Sequence, residues 1–472
     1  MKRWILFSLA ALATLFITAC GETTPDEPFI WPESIDGRSP FYGETLTVGV
    51  FFQADNIETF ARHYELQNPG VTIEIINMDP GMGAISIWRA DLSGVREDMG
   101  VQLMAGAAPV LIESFLVDYL NPMTMPFFAD WLPIMEADPN FHEEDWHMNV
   151  FDAMSRDGRL IGFPMSFDFP PGNSYFTINN IIPGLAEVFE DRQHISLAEM
   201  MEIHSRTSPT LAAPMYMTRD FDVLMAVESN IDDFFDLETG RIEFNTPEFI
   251  NFISHARELT SPGREFTPVS MPFFLEIGDR ALMEGLSQRY MFRRAWTVNY
   301  EIFNVFEEDL FFANPLPYTN RQGELLITPW RTFVLHAGAT PTQKALALDF
   351  LRFILEAPHD LILRPMHIET YASPLRGSAR FAFERHPNAY YARFGTLGWR
   401  PINNDWPQAF ETMITRAEAT KEMPMQDTRY APDVIRNAVR EILHQFHDGL
   451  ITAEQAANDL QNRVTLIIME MD

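Results

Sequence analysis

The stretch "TLTVGVFF" (Thr45–Phe52) is followed by "NIETFARHYELQNPG" (Asn56–Gly70) and then by "VTIEII" (Val71–Ile76). The first and third stretches are rich in β-branched and apolar residues, which is typical of buried strands. The middle stretch has apolar residues at the spacing of one helical face and ends at a Pro-Gly pair. A strand, a helix and a strand in this order predict a parallel sheet with right-handed crossovers. The apolar helical face comprises Ile57, Phe60, Ala61 and Tyr64.

Later helices are indicated by their start signals and their apolar faces. Thr246-Pro247 is an N-cap followed by proline in the first helical turn. The segment Lys344–Ala357 is apolar on nearly all sides, which predicts a deeply packed helix. Capping boxes, in which a hydroxyl and a carboxyl or amide bond the exposed N–H groups of the first turn, occur at Ser196–Glu199, Thr340–Gln343 and Thr452–Gln455. A 3.6-residue stripe ended by Gly449 comprises Val434, Ile435, Ala438, Val439, Ile442, Leu443 and Phe446.

The first residues have the organisation of an export signal. Lys2 and Arg3 give a basic start, and the uncharged apolar run Trp4–Ala19 is shorter than the roughly 20 residues of a membrane-spanning helix. Ile17–Cys20 resembles the bacterial lipobox, so residues 1–19 are predicted to be a signal peptide and Cys20 a palmitate-bearing mature N-terminus. The alternative is an ordinary secretory signal with an incidental cysteine. Residues 20–43 are rich in Pro, Thr and acidic residues, which predicts a flexible linker.

Composition excludes several classes of function. Cys20 is the only cysteine, so no thiol remains for a disulfide, a cysteine-ligated metal site or a cysteine nucleophile. The length of 472 residues with 46% hydrophobic content predicts two or more domains or lobes. The formal net charge of −32 repels phosphate backbones, so nucleic acid is not an expected partner.

Enzyme motifs are incomplete in this sequence. His142 and His147 are five residues apart, whereas the helical metalloprotease motif places its histidines four apart. The segment "PGMGAIS" (Pro80–Ser86) lacks the third glycine of a dinucleotide-binding loop. There is no P-loop and no G-x-S-x-G motif. The sequence therefore predicts a protein that is not an enzyme and holds no cofactor and no metal.

Seven stretches, in this order along the chain, resemble the bacterial extracellular solute-binding proteins of the sugar-binding type (family 1), which are lipoprotein receptors of ABC importers. They are "LQNPGVTIEI", "VQLMAGAAPVLI" (Val101–Ile112, the "aG-x-x-P-D" strand), "RDGRLIGFP" (Arg156–Pro164), "DLETGRIEFNTPEFINFI" (Asp236–Ile253, a hairpin plus helix), "IGDRALMEG" (Ile277–Gly285), "ALDFLRFIL" (Ala347–Leu355) and "HDGLITAEQAANDLQNRV" (His447–Val464). One departure is Val110, which stands where the family commonly has Asp. The strand interpretation is kept, but any hydrogen bond of that carboxylate is lost.

The resemblance implies an α/β fold of the two-lobed periplasmic-binding-protein type. Each lobe would hold a mixed, mostly parallel sheet flanked by helices, and the lobes would close by hinge motion around a ligand in the cleft between them. Lobe one would comprise residues 44–164 and 325–357, and lobe two residues 165–324 and 358–472. The implied function is a monomeric receptor, lipid-anchored on the outer face of the cytoplasmic membrane, that delivers a small solute to ABC permease subunits. A sugar or oligosaccharide is the first expectation.

Candidate ligand-binding residues follow from the expected position of the cleft. Ligands of open α/β sheets bind outside the carboxyl ends of strands, and sugars need aromatic faces together with carboxylates or amides. The candidates are Gln53, Asp55, Glu113, Asp168, Trp296, Trp330, Arg331 and Tyr371, with Phe51, Phe52, Trp399 and Trp406 as further aromatic side chains. Each has a structural alternative: an aromatic ring in the core, Asp168 as a turn cap, Glu113 as a solvated loop carboxylate, and Arg331 in a surface ion pair.

Three other functions stay open at this point. The same scaffold can bind a peptide or a polyol instead of a sugar. A surface sensor or adhesin would use the same cleft without a transporter. A secreted glycoside hydrolase needs two carboxylates that face a scissile bond, and the sequence identifies no such pair.

Overall fold

The computed structural model describes residues 28–34, 36–51, 54–78, 93–165, 167–168, 174–179, 192, 194–196, 199–200, 202, 215–216, 230–237, 239–258, 292–296, 312–320, 323–329, 331–356, 391–394, 398–401, 425–427 and 431–471. Its helices are α1 (Ala54–Gln67), α2 (Ser93–Met104), α3 (Leu132–Ala137), α4 (Met148–Met154), α5 (Pro247–Glu258), α6 (Pro341–Glu356), α7 (Asp433–His447) and α8 (Ala453–Met471). Its strands are β1 (Thr45–Val50), β2 (Thr72–Asn77), β3 (Leu111–Glu113), β4 (Gly162–Pro164), β5 (Phe167–Asp168), β6 (Ser174–Asn179), β7 (Ile195–Ser196), β8 (Met215–Tyr216), β9 (Phe235–Asp236), β10 (Arg241–Ile242), β11 (Phe292–Trp296), β12 (Phe312–Thr319), β13 (Leu325–Pro329), β14 (Thr332–Leu335), β15 (Tyr391–Phe394), β16 (Gly398–Pro401) and β17 (Met425–Asp427).

The β-α-β opening predicted from the sequence supplies the two strands at one edge of a five-stranded sheet with the order β2-β1-β3-β14-β4. β1 is parallel to β2 and to β3, whereas β14 is antiparallel to β3 and to β4. β1, β2, β3 and β4 therefore run in one direction. As a result, the carboxyl ends of β1, β3 and β4 and the start of β14 lie at the same edge of the sheet.

Apolar side chains cover both faces of this sheet. Leu111 and Leu335 belong to one core, and Ile112 and Val334 belong to a second core on the opposite face, as the alternation of side chains along a strand requires. The predicted face of α1 is buried in the first core. α6 is as deeply packed as its apolar sequence predicts, with a buried run from Ala345 to Leu348.

A second sheet has the order β17-β13-β12-β6-β11-β8, with β5 paired to β13 and β7 paired to β12. It is mixed, because β6 is antiparallel to β11 and β12 while β17 is parallel to β13. β13 contributes to two cores: Leu325 and Ile327 pack with the five-stranded sheet, and Leu326 packs with α5, α7 and α8. β13 is thus the strand at which the two cores adjoin.

The predicted helix caps are confirmed. The Thr340 hydroxyl accepts a hydrogen bond from the Gln343 N–H, and the Gln343 side chain accepts one from the Thr340 N–H. The same reciprocal arrangement occurs at Ser196–Glu199 and at Thr452–Gln455. The stretch Asp236–Ile253 forms the predicted hairpin of β9 and β10 followed by α5.

Three expectations need correction. The strand predicted over Val101–Ile112 is confined to β3, because Val101–Met104 forms the last turn of α2. Val434 is 44% exposed, because the buried stripe of α7 begins at Ile435. The packed part of the chain begins before Glu44, inside the segment that composition predicts as linker. Phe29 and Trp31 there contact the first core, and Trp31 lies edge-on to Phe41 with ring centroids 6.2 Å apart.

Candidate functional site

The candidate site is the edge of the five-stranded sheet where two chain crossovers meet. The crossover from β4 to β5 and the crossover from β13 to β14 run side by side at this edge. The Met165 N–H donates to the Arg331 carbonyl over 2.6 Å, and β5 pairs with the end of β13 so that Asp168 lies opposite Thr328. Ligands of open α/β sheets bind outside the carboxyl ends of strands, which is the position of these two crossovers.

Glu113, the last residue of β3, is fully buried at this edge, with 0% of its surface exposed. Its Oε2 accepts a hydrogen bond of 2.7 Å from the Phe51 N–H, which directly follows β1. Its Oε1 lies 3.0 Å from the Arg331 Nε. The alternative of a solvated loop carboxylate is therefore wrong, since Glu113 joins β1, β3 and the second crossover.

Arg331 is held in place through both its main chain and its side chain. Its carbonyl accepts the Met165 N–H, its Nε faces Glu113, and its Cζ lies 5.9 Å from the ring centroid of Phe333. Its side chain keeps 15% of its surface exposed, against 0% for Glu113. The alternative of a surface ion pair does not describe this contact, because one partner is fully enclosed.

The remaining predicted residues are distributed as follows. Asp168 is in β5 at the first crossover, and Trp296 is the last residue of β11, opposite Ser174 of β6. Asp55 lies in the first turn of α1, because that helix begins at Ala54. Trp399 is in β16, opposite Arg393. Residues outside the described part of the chain are Cys20, Phe52, Gln53, Trp330, Tyr371 and Trp406.

A cluster of four charged residues, which the sequence does not reveal, joins the five-stranded sheet to the C-terminal helices. Asp433 at the start of α7 accepts hydrogen bonds from Arg96 of α2 and from Arg436 one turn later. Its N–H donates to the Asp118 carboxylate over 2.8 Å. We name Arg96, Asp118, Asp433 and Arg436 the bridging cluster, since Arg96 also donates to the Phe115 carbonyl beside the second core.

The two carboxylates of the bridging cluster have opposite pKa shifts. Burial, and after it the adjacent Asp433 carboxylate, raises the pKa of Asp118 to about 6. Burial also acts on Asp433, but the guanidinium groups of Arg436 and Arg96 outweigh it and lower the pKa of Asp433. Asp118 therefore carries its charge at neutral pH in an unfavourable environment.

Within the described ranges, no three or more His, Cys, Asp or Glu side chains are grouped so that they could hold a metal ion. No helix in that part of the chain combines the length and apolar character needed to cross a bilayer.

Comparison of the sequence with models of known protein families and with curated proteins gives no match. Solved structures do match, at low sequence identity. The sugar-binding protein MalE from Xanthomonas citri has a TM-score of 0.56 at 14% identity, covering 90% of this chain and 98% of its own. A periplasmic oligogalacturonide-binding protein from Yersinia enterocolitica has a TM-score of 0.55 at 11% identity, covering 91% and 100%. A cyclic α-maltosyl-1,6-maltose-binding protein from Arthrobacter globiformis has a TM-score of 0.52 at 13% identity, covering 90% and 99%.

These matches extend over nine-tenths of the chain and establish the fold. It is the two-lobed α/β fold of periplasmic binding proteins, as the order of the sequence stretches predicts.

Proposed function

We propose that the protein is an extracytoplasmic solute-binding receptor of an ABC importer, and that it captures a sugar or oligosaccharide in a cleft between two lobes. The observation that carries this proposal is the meeting of both crossovers at the carboxyl ends of β1, β3 and β4, where a buried carboxylate fixes an arginine. A site at a crossover between two lobes can close around a ligand by hinge motion. Recognition would use stacking and hydrogen bonds, without bond making or breaking.

Two features support the solute class. The fold is shared with proteins that bind sugars, oligogalacturonides and a cyclic maltosaccharide. The predicted aromatic and carboxylate side chains suit the C–H faces and hydroxyl groups of sugars. Those neighbours bind both neutral and acidic saccharides, so the fold leaves the charge of the ligand open.

A ligand panel tests the proposal directly. The folded protein is heated with mono- and oligosaccharides, peptides and polyols, and a ligand that binds the native state raises the melting temperature. Hits are then titrated calorimetrically and the saccharide is recovered intact. A response to saccharides supports the proposal, whereas a response confined to peptides or polyols, or hydrolysis of the saccharide, contradicts it.

The predicted cleft residues give a second test. We expect Trp330→Ala and Asp168→Ala each to weaken binding of the identified ligand at least tenfold, which is about 1.4 kcal/mol. The physical reason is the loss of an aromatic stacking face in one variant and of a hydrogen-bonding carboxylate in the other. The measurement is calorimetric titration with a check of the melting temperature. Asp448→Ala, in the exposed turn after α7, is the matched control and should bind as the wild type does. Unchanged titrations for both cleft variants would place the cleft elsewhere.

We further propose that Cys20 is the lipid attachment site and holds the receptor at the outer face of the cytoplasmic membrane, next to its permease subunits. Phe29 and Trp31, which follow Cys20 in the sequence, pack against the first core. This packing supports a tether that joins the folded body next to the first core. We expect Cys20→Ala to move the protein from the membrane fraction into the soluble extracytoplasmic fraction without a change in melting temperature. Fractionation followed by mass spectrometry of the N-terminal peptide checks this. A variant that stays with the membrane would show that Cys20 is not the anchor.

A further inference from the structure

The bridging cluster joins two parts of the chain that belong to different cores. Arg96 lies on α2, which packs in the second core, and Asp433 begins α7, whose buried face packs in the core of the C-terminal helices. By the boundaries predicted from the sequence, Arg96 and Asp118 belong to lobe one and Asp433 belongs to lobe two. The hydrogen bonds that Asp433 makes with Arg96 and Asp118 are then contacts between the two lobes.

The lobe-one half of the cluster lies at the sheet edge that holds the candidate site. The short turn Ser114–Leu116 directly follows Glu113 at the end of β3, and the Arg96 Nε donates to the Phe115 carbonyl in this turn over 3.1 Å. Asp118 follows in the same segment. Because ligands of open α/β sheets bind outside this edge, the contact with α7 spans the side on which a cleft would open. Opening the lobes on that side would break the contact.

Charge-assisted hydrogen bonds make this contact stronger than an ordinary surface contact. Asp433 accepts from Arg96 across the lobes and from Arg436 within α7, and its N–H donates to the Asp118 carboxylate over 2.8 Å. The exposed fractions of the side chains are 29% for Arg96, 18% for Asp433 and 22% for Arg436. Partly buried charges are screened by salt less than exposed ones, so the attraction persists at physiological ionic strength.

Asp118 makes the strength of the contact depend on pH. The charged groups that act on its carboxylate are Asp433 and Arg436 of α7 and Arg96 of α2. Burial, and after it Asp433, raises the pKa of Asp118 to about 6. Separation of the lobes removes Asp433 and admits water, so the pKa of Asp118 should return towards its ordinary value of 3.8. Because the pKa is higher in the closed arrangement, protonation favours that arrangement, and the contact strengthens as the pH falls through 6.

We propose that the bridging cluster is a pH-dependent interlobe latch, which holds the two lobes closed across the candidate site. A ligand bound between the lobes needs the closed arrangement, so the closed fraction of the protein sets the apparent affinity. This consequence for affinity rests on the proposed function, whereas the latch itself does not. If the pKa of Asp118 returns fully to 3.8 on opening, the ratio of closed to open protein rises about fourfold between pH 7.5 and pH 5.5.

The first experiment measures the distance between α2 and α7 without any ligand. Spin labels are attached at Met104→Cys and His444→Cys, both exposed, in the full-length Cys20→Ala protein, and double electron–electron resonance gives the closed and open fractions. We expect the ratio of closed to open protein to rise about two- to fourfold from pH 7.5 to pH 5.5. Asp118→Asn, which resembles the protonated form, should have the higher closed fraction at both pH values. Arg96→Gln should lower the closed fraction at both.

The matched control is Arg463→Gln, which removes an ion pair with Glu441 between α7 and α8, inside lobe two. It should follow the wild type at both pH values. One unchanged distance distribution in the wild type, Arg96→Gln and Asp118→Asn overturns the latch. A distribution that changes in Arg96→Gln but never with pH overturns the pH dependence. The Asp118→Asn protein still decides the matter if Arg96→Gln does not fold, as judged by its melting temperature.

The second experiment separates the latch from the proposed function. Maltose, maltotriose and trigalacturonate are titrated into the unlabelled proteins at pH 7.5 and pH 5.5. The wild type and Arg463→Gln should bind a responding saccharide up to about fourfold more tightly at pH 5.5, whereas Asp118→Asn should show no such gain. An equal gain in the wild type and Asp118→Asn overturns the coupling to the ligand. If no saccharide binds while the distances respond to pH, the proposed function fails and the latch stands.

Discussion

Arg352→Ala is expected to lower the free energy of unfolding by about 3 to 5 kcal/mol, because it leaves a buried carboxylate without its cation. Arg352 lies on α6 with only 10% of its side chain exposed. It forms ion pairs with Asp138, whose side chain is 1% exposed, and with Asp349 on the same helix. The measurement is equilibrium denaturation by urea at pH 7.

The cost is large because these residues form one network inside the first core. Asp349 also accepts a hydrogen bond of 2.5 Å from the Tyr64 hydroxyl of α1. Burial, and next the Asp349 carboxylate, raises the pKa of Tyr64, so its hydroxyl stays protonated and continues to donate. Arg352 thus links α6 to α1 and to the residue that ends α3, and its removal affects all three.

The chain supplies a matched control in Arg463, which pairs with Glu441 while the two side chains are 47% and 54% exposed. Arg463→Ala should cost less than about 1 kcal/mol, as is usual for surface pairs.

A double-mutant cycle sharpens the test. Asp138→Asn removes the charge but keeps the Oδ1 acceptor for the Asn140 N–H, so Arg352→Ala should cost less in that background. Equal losses in both backgrounds would show that the buried charge is not the cause.

Local patterns were sufficient to predict most of the framework. Three such patterns are the β-branched run at Thr45, the apolar face of α1 and the Pro-Gly stop at Pro69. Each involves residues close together in the sequence, so local backbone geometry determines the structure that forms. The capping boxes at Thr340 and Thr452 are equally local, and each forms as predicted. The same logic fails at Val101, where a short apolar run fits a strand and the last turn of a helix equally well; the structure has the helical turn, with Val101 60% exposed.

The candidate site was predictable only in part. The carboxyl ends of strands directed attention to Glu113 and Arg331, but their pairing depends on the antiparallel alignment of β14 with β3, which places Phe333 opposite Glu113. That alignment is a property of the sheet and has no local signature. The sequence therefore named both residues as candidates but did not predict their ion pair. Arg96 and Asp433 were missed for the same reason, since ion-pair partners distant in sequence leave no periodic signal.

The bridging cluster contains a repulsion that has no evident benefit for folding. Asp118 is held at 2.8 Å from the Asp433 N–H, next to a second carboxylate that is already paired with Arg96 and Arg436. Natural sequences tend to keep such unfavourable local choices at functional positions. The cluster joins α2, whose Met99 and Leu103 belong to the second core, to α7, whose buried face belongs to the core of the C-terminal helices.

Asp118→Asn is expected to stabilise the protein at pH 7 by about 2 to 3 kcal/mol relative to wild type, and most of this difference should be lost by pH 4. The native Asp118 takes up its proton near pH 6, whereas the unfolded chain does so near the ordinary value of 3.8. Because the folded pKa is the higher one, this group destabilises the native state fully above pH 6, and the destabilisation declines as the pH falls from 6 towards 3.8. Asparagine resembles the protonated form at every pH and still offers an oxygen to the Asp433 N–H.

The comparison of the two proteins removes the general effect of pH on a chain with a net charge of −32, since the other titrating groups are the same in both. The lowered pKa of Asp433 acts in the opposite direction, but its effect lies mainly below the ordinary value of 3.8 and is shared by both proteins. Urea denaturation at half-unit steps of pH gives the difference curve, with the exposed Asp459→Asn on α8 as the control. A difference between wild type and Asp118→Asn that stays constant from pH 7 to pH 4 would mean that the Asp118 carboxyl titrates alike in the folded and unfolded chains. The contact between Asp118 and α7 would then carry no electrostatic cost.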